Sequence, residues 1–298
     1  MLKSLLYIPS LIFFNTLWAA QPINLRCEHL TNPLGIDAES PRLTWMLDDG
    51  RQGAVQKAFR LIVDTDSLRI VNNQGSMWDT GKTDSEDVIV SYAGKKLEPF
   101  THYYWKVISW DMNGAESSSP VNSFETGMMD IKNWQGSWIG DGRDIHYKPA
   151  PYFRKKFMAK KTIKSARAYI AVAGLYELYI NGEKIGNHRL DPIYTRFDRR
   201  NLYVTYDVTS QLQDGDNVMG VLLGNGWYNH QSQAVWDFDR APWRNRPTFC
   251  MDLRITYTDG SIETIVTDRS WRKSDSPVIF NSIYLSLIHI SEPTRLDG

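Results

Sequence analysis

Hydrophobic and polar positions alternate along most of the chain beyond residue 20, and a period of two is that of a strand with one face in a core. In Gly174–Gly186, Tyr176, Leu178 and Ile180 alternate with Leu175, Glu177 and Tyr179. Asn181-Gly182 follows; both residues tolerate positive φ, so they predict a two-residue hairpin turn with the chain returning at Glu183–Ile185. The same alternation predicts strands at Pro41–Leu47, Gln56–Asp64, Asp87–Tyr92, His102–Asp111 and Val121–Glu125. Within His102–Asp111, Tyr103, Trp105, Val107 and Ser109 share one face, and Tyr104, Lys106, Ile108 and Trp110 share the other. A second series runs through Tyr152–Phe157, Ser165–Val172, Leu202–Val208, Asn217–Leu223, Met251–Tyr257 and Ser261–Thr267. Asn113-Gly114 and Asp259-Gly260 mark further tight turns. Helical periodicity is nearly absent, and the predicted class is all-β.

Strands at this spacing, with turn residues between them, predict a β-sandwich over residues 21–127, a linker at 128–137 and a second sandwich over 138–284. Thr101–Gly114, with Phe124-Glu-Thr-Gly127, resembles a fibronectin type III domain. The Gly174–Gly186 hairpin, followed by Leu190–Thr195 and Tyr206–Asn217, resembles the jelly-roll, galactose-binding-like domain that precedes the catalytic domain of many bacterial glycoside hydrolases.

Composition narrows the class of partner. The formal net charge of the 298 residues is zero, which gives no electrostatic reason to expect nucleic acid or an anionic membrane. The 11 Trp and 15 Tyr fill cores in an all-β protein, or offer flat faces for stacking on sugars. At the N-terminus Lys3, the apolar run Leu5–Leu17 and the small residues Ala19-Ala20 predict a signal peptide over residues 1–20. The mature chain would then start near Gln21 and be exported to the periplasm or beyond, with no membrane association after cleavage; an uncleaved anchor is the alternative. Cys27 and Cys250 fall in different predicted domains and are expected as buried free thiols, a single bridge between them being the other reading. The six His are scattered without metal-ligand spacing, and Gly224-Asn-Gly226 reads as a tight turn and not a phosphate cradle, so neither metal nor cofactor is expected.

Two groups of motifs, taken in order, carry a family resemblance. The first is Leu25–Asp37 with Pro41-Arg-Leu-Thr-Trp45. The second is Trp138-Ile-Gly140, Tyr152–Phe157, Gly174–Gly182, Pro192–Thr195 and Gly224-Asn-Gly-Trp-Tyr228. Together they resemble the N-terminal half of bacterial α-L-rhamnosidases of glycoside hydrolase family 78, over Leu25–Tyr284. The resemblance implies an inverting hydrolase whose general acid and base lie in a downstream (α/α)6 barrel, so no catalytic residue maps onto this chain and the fragment by itself is expected to be inactive. From Leu285 to Gly298 the pattern breaks, and this stretch reads as the translation of a sequencing adapter joined to a truncated read, expected to add nothing to folding.

The candidate contact surface, toward carbohydrate or toward the domain that the family places downstream, is Asn225, Trp227, Tyr228, Trp236 and Asp237. Polar loops carrying aromatics recognise sugars by stacking plus hydrogen bonds, although Trp227 and Trp236 packed on each other or on a neighbouring domain would give the same pattern. Any rhamnose-containing ligand is expected to bind weakly. Asp237 and Asp239 form a carboxylate pair in sequence that Arg240 and solvent explain more simply than catalysis does. Two rival functions remain at this level: a stand-alone carbohydrate-binding or adhesion protein, and the accessory front of a different glycosidase.

Overall fold

A computed structural model describes residues 20–231 and 236–282, and the backbone of 290–291. The chain divides into two units, Met1–Met129 and Asp130–Gly298. The predicted signal peptide lies outside the described residues but for Ala20.

In the first unit Gln21–Cys27, Arg42–Asp48 and Ile89–Ser91 pair antiparallel in that order. The second sheet is built on Gln56–Asp64 paired antiparallel with His102–Asp111, which in turn pairs with Glu116–Ser118 and Asn122–Glu125. The alternation in His102–Asp111 sets the core, with Tyr103, Trp105 and Val107 fully buried against Leu25, Leu43, Trp45, Leu61 and Phe124. The indole N–H of Trp45 donates to buried Gln56 Oε1 at 3.0 Å, which removes the cost of hiding both polar groups. One short helix, Ser67–Val71, was not anticipated by periodicity; Asp66 caps it, its carboxylate accepting the Leu68 N–H at 2.9 Å.

The second unit is a sandwich of two five-stranded sheets. In one, Thr248–Tyr257 and Ile163–Ala173 form the centre, with Ile139–Gly140, Ile262–Val266 and Tyr203–Asp207 alongside. In the other the spatial order is Glu183–Lys184, Leu175–Ile180, Gly215–Gly224, Pro151–Ala159, Arg272–Asp275. Inward residues of the two sheets meet: Leu178, Ile180, Met219, Val221 and Phe153 from one, Ile170, Val172, Phe249, Met251 and Leu253 from the other, all buried. The Asn181-Gly182 hairpin forms as its sequence predicts, with φ of 50° and 88°.

From Gln135 the backbone is already tied into this unit, because buried Asp252 accepts the N–H groups of Gln135 and Gly136 at 2.9 and 2.8 Å. At the other end Val278–Phe280 pairs with Ile290–Ser291. The rest of the stretch in which the sequence pattern breaks lies outside the described residues. Cys27 and Cys250 are buried free thiols, and burial pushes them up to about 12 and about 11 respectively, so neither is a ready nucleophile.

Candidate functional site

The strand Gly215–Gly224 delivers the chain to one end of the sandwich, where residues 225–231 and 236–246 make a folded loop. Its turn depends on Gly226, which has a φ of +50° and sits so close to Leu175 that an added Cβ would lie 3.0 Å from Leu175 Cγ. The carbonyl of Asn225 accepts the N–H groups of Tyr228 and Asn229, closing a single turn.

Asn225 itself is 1% exposed and bonded at both its backbone and its side chain. Its N–H donates to Asn281 Oδ1 at 2.7 Å, its Nδ2 to the Asn281 carbonyl at 3.3 Å, and its Oδ1 accepts from Asn229 Nδ2 at 3.2 Å. It orders the loop and, being buried, presents almost no surface to a ligand. Asn229 continues the network to the Ile145 carbonyl and accepts from Arg244 Nε at 3.2 Å.

Around this polar tie lies a cluster of rings. Trp227 is half-buried, with Phe238 at 5.0 Å, Tyr194 at 6.2 Å, and His230 stacked at 6.2 Å. Tyr228 packs edge-on to Phe197 at 5.2 Å, and burial raises its phenol despite a hydrogen bond to Thr248. Trp236 is 70% exposed and reaches the cluster through Phe238 at 6.3 Å. Asp237 is exposed, with φ of 54°, and precedes the turn of 3-10 helix Phe238–Arg240, so Asp237 and Asp239 do not lie on a strand. Of the five predicted contact residues, three sit in or beside the ring cluster, Asn225 lies beneath it and Asp237 at its rim.

His230 is buried beside Trp227, and desolvation holds its imidazole below the usual range, with Arg244 acting in the same direction and Asp239 against it. The site's largest electrostatic element escaped sequence reading. Arg246 and Asp141, both buried and 105 residues apart, pair through the guanidinium Nε and Nη2, while Nη1 donates to the Tyr147 carbonyl at 2.7 Å and Nη2 to the Pro149 carbonyl at 2.9 Å. This pins segment 141–149 to the loop end. Asn281 was equally illegible, because its partner is 56 residues away.

Beside the loop is a cavity of about 230 Å³ bounded by Leu175, Glu177, Lys184, His188, Leu222 and Asn281. Glu177, its single carboxylate among the lining residues, is held by Lys184 and by the Tyr179 hydroxyl at 2.7 Å. No cluster of three or more potential metal ligands occurs among the described residues.

Residues 22–130 match the family model described as the Rha78A-like N-terminal immunoglobulin domain, and residues 161–289 match the α-L-rhamnosidase N-terminal domain. An α-L-rhamnosidase of Formosa agariphila is 34% identical over 280 residues, an alignment covering 85% of this chain and 29% of the relative. One from an Alteromonas species is 31% identical, covering 89% of this chain and 30% of the relative. The solved α-L-rhamnosidase from Dictyoglumus thermophilum is 41% identical with a TM-score of 0.81, over 89% of this chain and 30% of that one. The chain thus spans less than a third of the length of each of these three relatives. Domain by domain and in order, it belongs to the α-L-rhamnosidase family, of which it carries the N-terminal region.

Proposed function

We propose that this chain is the non-catalytic N-terminal region of an exported α-L-rhamnosidase, which releases terminal α-L-rhamnose from glycans or glycosides with inversion at the anomeric carbon. The observation that carries the reading is the succession of two family domains, at 22–130 and 161–289, in the order found in longer rhamnosidases. Inversion requires two carboxylates about 6.5–9.5 Å apart with a water between them. The cavity beside the loop offers Glu177 as its one carboxylate among the described residues, already paired with Lys184, which supports assigning catalysis to residues outside this chain. Export is supported by the charged, apolar and small-residue order of residues 1–20. The test is hydrolysis of an aryl α-L-rhamnoside by the chain and by the full product of its gene. The long protein should release β-L-rhamnose first, as read by NMR, and the chain should not exceed a buffer blank. Turnover by the chain that a substitution within it abolishes would overturn the reading.

The aromatic loop has a place in this function. Trp236, 70% exposed on top of a ring cluster, is a surface for weak stacking on a rhamnose-containing ligand or for the downstream catalytic domain. Titration of L-rhamnose into the chain and its Trp236→Ala variant separates the two: a weak response lost on substitution favours sugar, and no response from either favours the domain.

A further inference from the structure

The outer face of the sheet that ends in Arg272–Asp275 carries an unusual row. Register places Tyr179 opposite Gly220, Gly220 opposite Arg154, and Arg154 opposite Arg272. Directly opposed residues on antiparallel strands share a face, and like charges so placed repel. Lys156, two residues along from Arg154, adds a third cation on that face. Arg154, Lys156 and Arg272 are exposed and line one recess of about 280 Å³ with Ser270 and the stem of Lys155. Lys155 is neutralised by Asp268 at 3.0 Å, but the other three make no ion pair among the described residues. Tyr152 stands in the neighbouring row, opposite Leu222 and Ser274, and is 37% exposed.

Gly220 completes the arrangement. It lies in the middle of the strand Gly215–Gly224, between fully buried Met219 and Val221, and so faces outward. Its φ is not positive, and a Cβ added there would meet nothing closer than 3.8 Å. Glycine weakens a strand interior, and neither backbone conformation nor packing requires it here. What it provides is a position without a side chain between Tyr179 and Arg154 in the outward row.

We propose that this face binds a glycan chain bearing uronic acid carboxylates. Three unpaired cations call for anions, and the planar guanidinium forks of Arg154 and Arg272 match carboxylates in two-pronged hydrogen bonds. The missing side chain at Gly220 leaves room beside Tyr179, whose hydroxyl is held by Glu177 at 2.7 Å, for a sugar ring next to the cations. The choice of a glycan, among polyanions, rests on the rhamnosidase reading; the anion-binding chemistry does not.

The experiment is affinity electrophoresis of the full chain through gels containing polygalacturonate, carboxyl-reduced polygalacturonate or dextran sulfate, at fixed ionic strength. Polygalacturonate should retard the chain and the reduced polymer should not. Arg154→Ala with Arg272→Ala should weaken retardation about tenfold or more, the loss of two charged hydrogen-bonding groups. Gly220→Val should weaken it too while leaving the melting temperature unchanged or higher, an outcome that a purely structural glycine would not give. Absence of retardation by polygalacturonate, equal retardation by the reduced polymer, or full binding by either variant overturns the proposal. Dextran sulfate bound as tightly as polygalacturonate would overturn the carboxylate assignment in favour of a general polyanion surface. Polygalacturonate contains no rhamnose, so failure here leaves the rhamnosidase reading to its own assay, and failure of that assay leaves this binding result standing.

Discussion

Two arginine settings in the second unit differ in almost every respect. At the loop end Arg246 is 3% exposed, and its guanidinium is taken up by Asp141 and by the carbonyls of Tyr147 and Pro149. On the outer sheet face Arg154 opposes Arg272, both are exposed, and neither has an acidic partner among the described residues. A buried charge must be satisfied internally, because desolvating it otherwise costs several kcal/mol. An exposed pair of like charges is tolerable in water but gains nothing from the fold. The first arrangement makes the structure and the second is available to something outside it.

Removing one partner of the buried pair is the strongest challenge to this contrast. Asp141→Ala should lower stability by about 3–5 kcal/mol, since Arg246 would remain buried without a counter-charge. Asp141→Leu with Arg246→Met should cost less than the sum of the single changes, as a denaturant double-mutant cycle would show. A mild Asp141→Ala would mean that solvent reaches Arg246 and that the two settings are less different than their burial implies.

The aromatic loop lies between these extremes. Trp227, wedged among Phe238, Tyr194 and His230, should lose about 2–3 kcal/mol on replacement by Ala. Trp236→Ala, at an exposed ring, should stay within about 0.5 kcal/mol. Urea midpoints of the two variants measure how much of the cluster is structural. Equal losses would place Trp236 inside the packing.

Buried His230 gives the comparison a pH dependence. Its folded-state pKa lies below the unfolded value, so the unfolded chain binds its proton first as pH falls. Its contribution to stability is complete above the unfolded value of about 6.5 and declines below it. The drop in melting temperature from pH 7.5 to 5.5 should therefore shrink in His230→Gln. An unchanged drop would assign the acid sensitivity to other groups.

The smallest effect belongs to the exposed pair. Arg272→Thr removes the opposed charge and keeps a good strand former, so the melting temperature should rise by up to about 2 °C at low salt and less at high salt. A fall would show that Arg272 contributes through packing of its stem.

What the sequence made legible was local. Gln56–Asp64 and His102–Asp111 stand as strands over the residues their alternation predicts, because a period of two needs only near neighbours to be read. Asn181-Gly182 and Asp259-Gly260 turn where turn chemistry requires, with Gly182 and Gly260 at φ of 88° and 82°. The short strands Trp78–Asp79 and Thr83–Asp84 carried no periodic signal, being two residues each. At the loop, the residue types drew attention to Trp227, Tyr228 and Trp236, but their rank in burial depends on Phe238 within the loop and on Tyr194 and Phe197 brought in from another segment. Asn225 looked like a polar contact because the amide that occupies it, Asn281, comes 56 residues later. The opposition of Arg154 and Arg272 is a matter of strand register, which neither stretch reveals alone.

The tie between Asn225 and Asn281 also sets an order in time. During synthesis the loop emerges from the ribosome well before Asn281 does, and until then the buried Asn225 N–H has no side-chain acceptor to receive it. The outer sheet waits in the same way, since Pro151–Ala159 keeps one open edge until Arg272–Asp275 arrives. The second unit thus reaches its folded state late in its own translation, when its last strands close both the sheet and the loop.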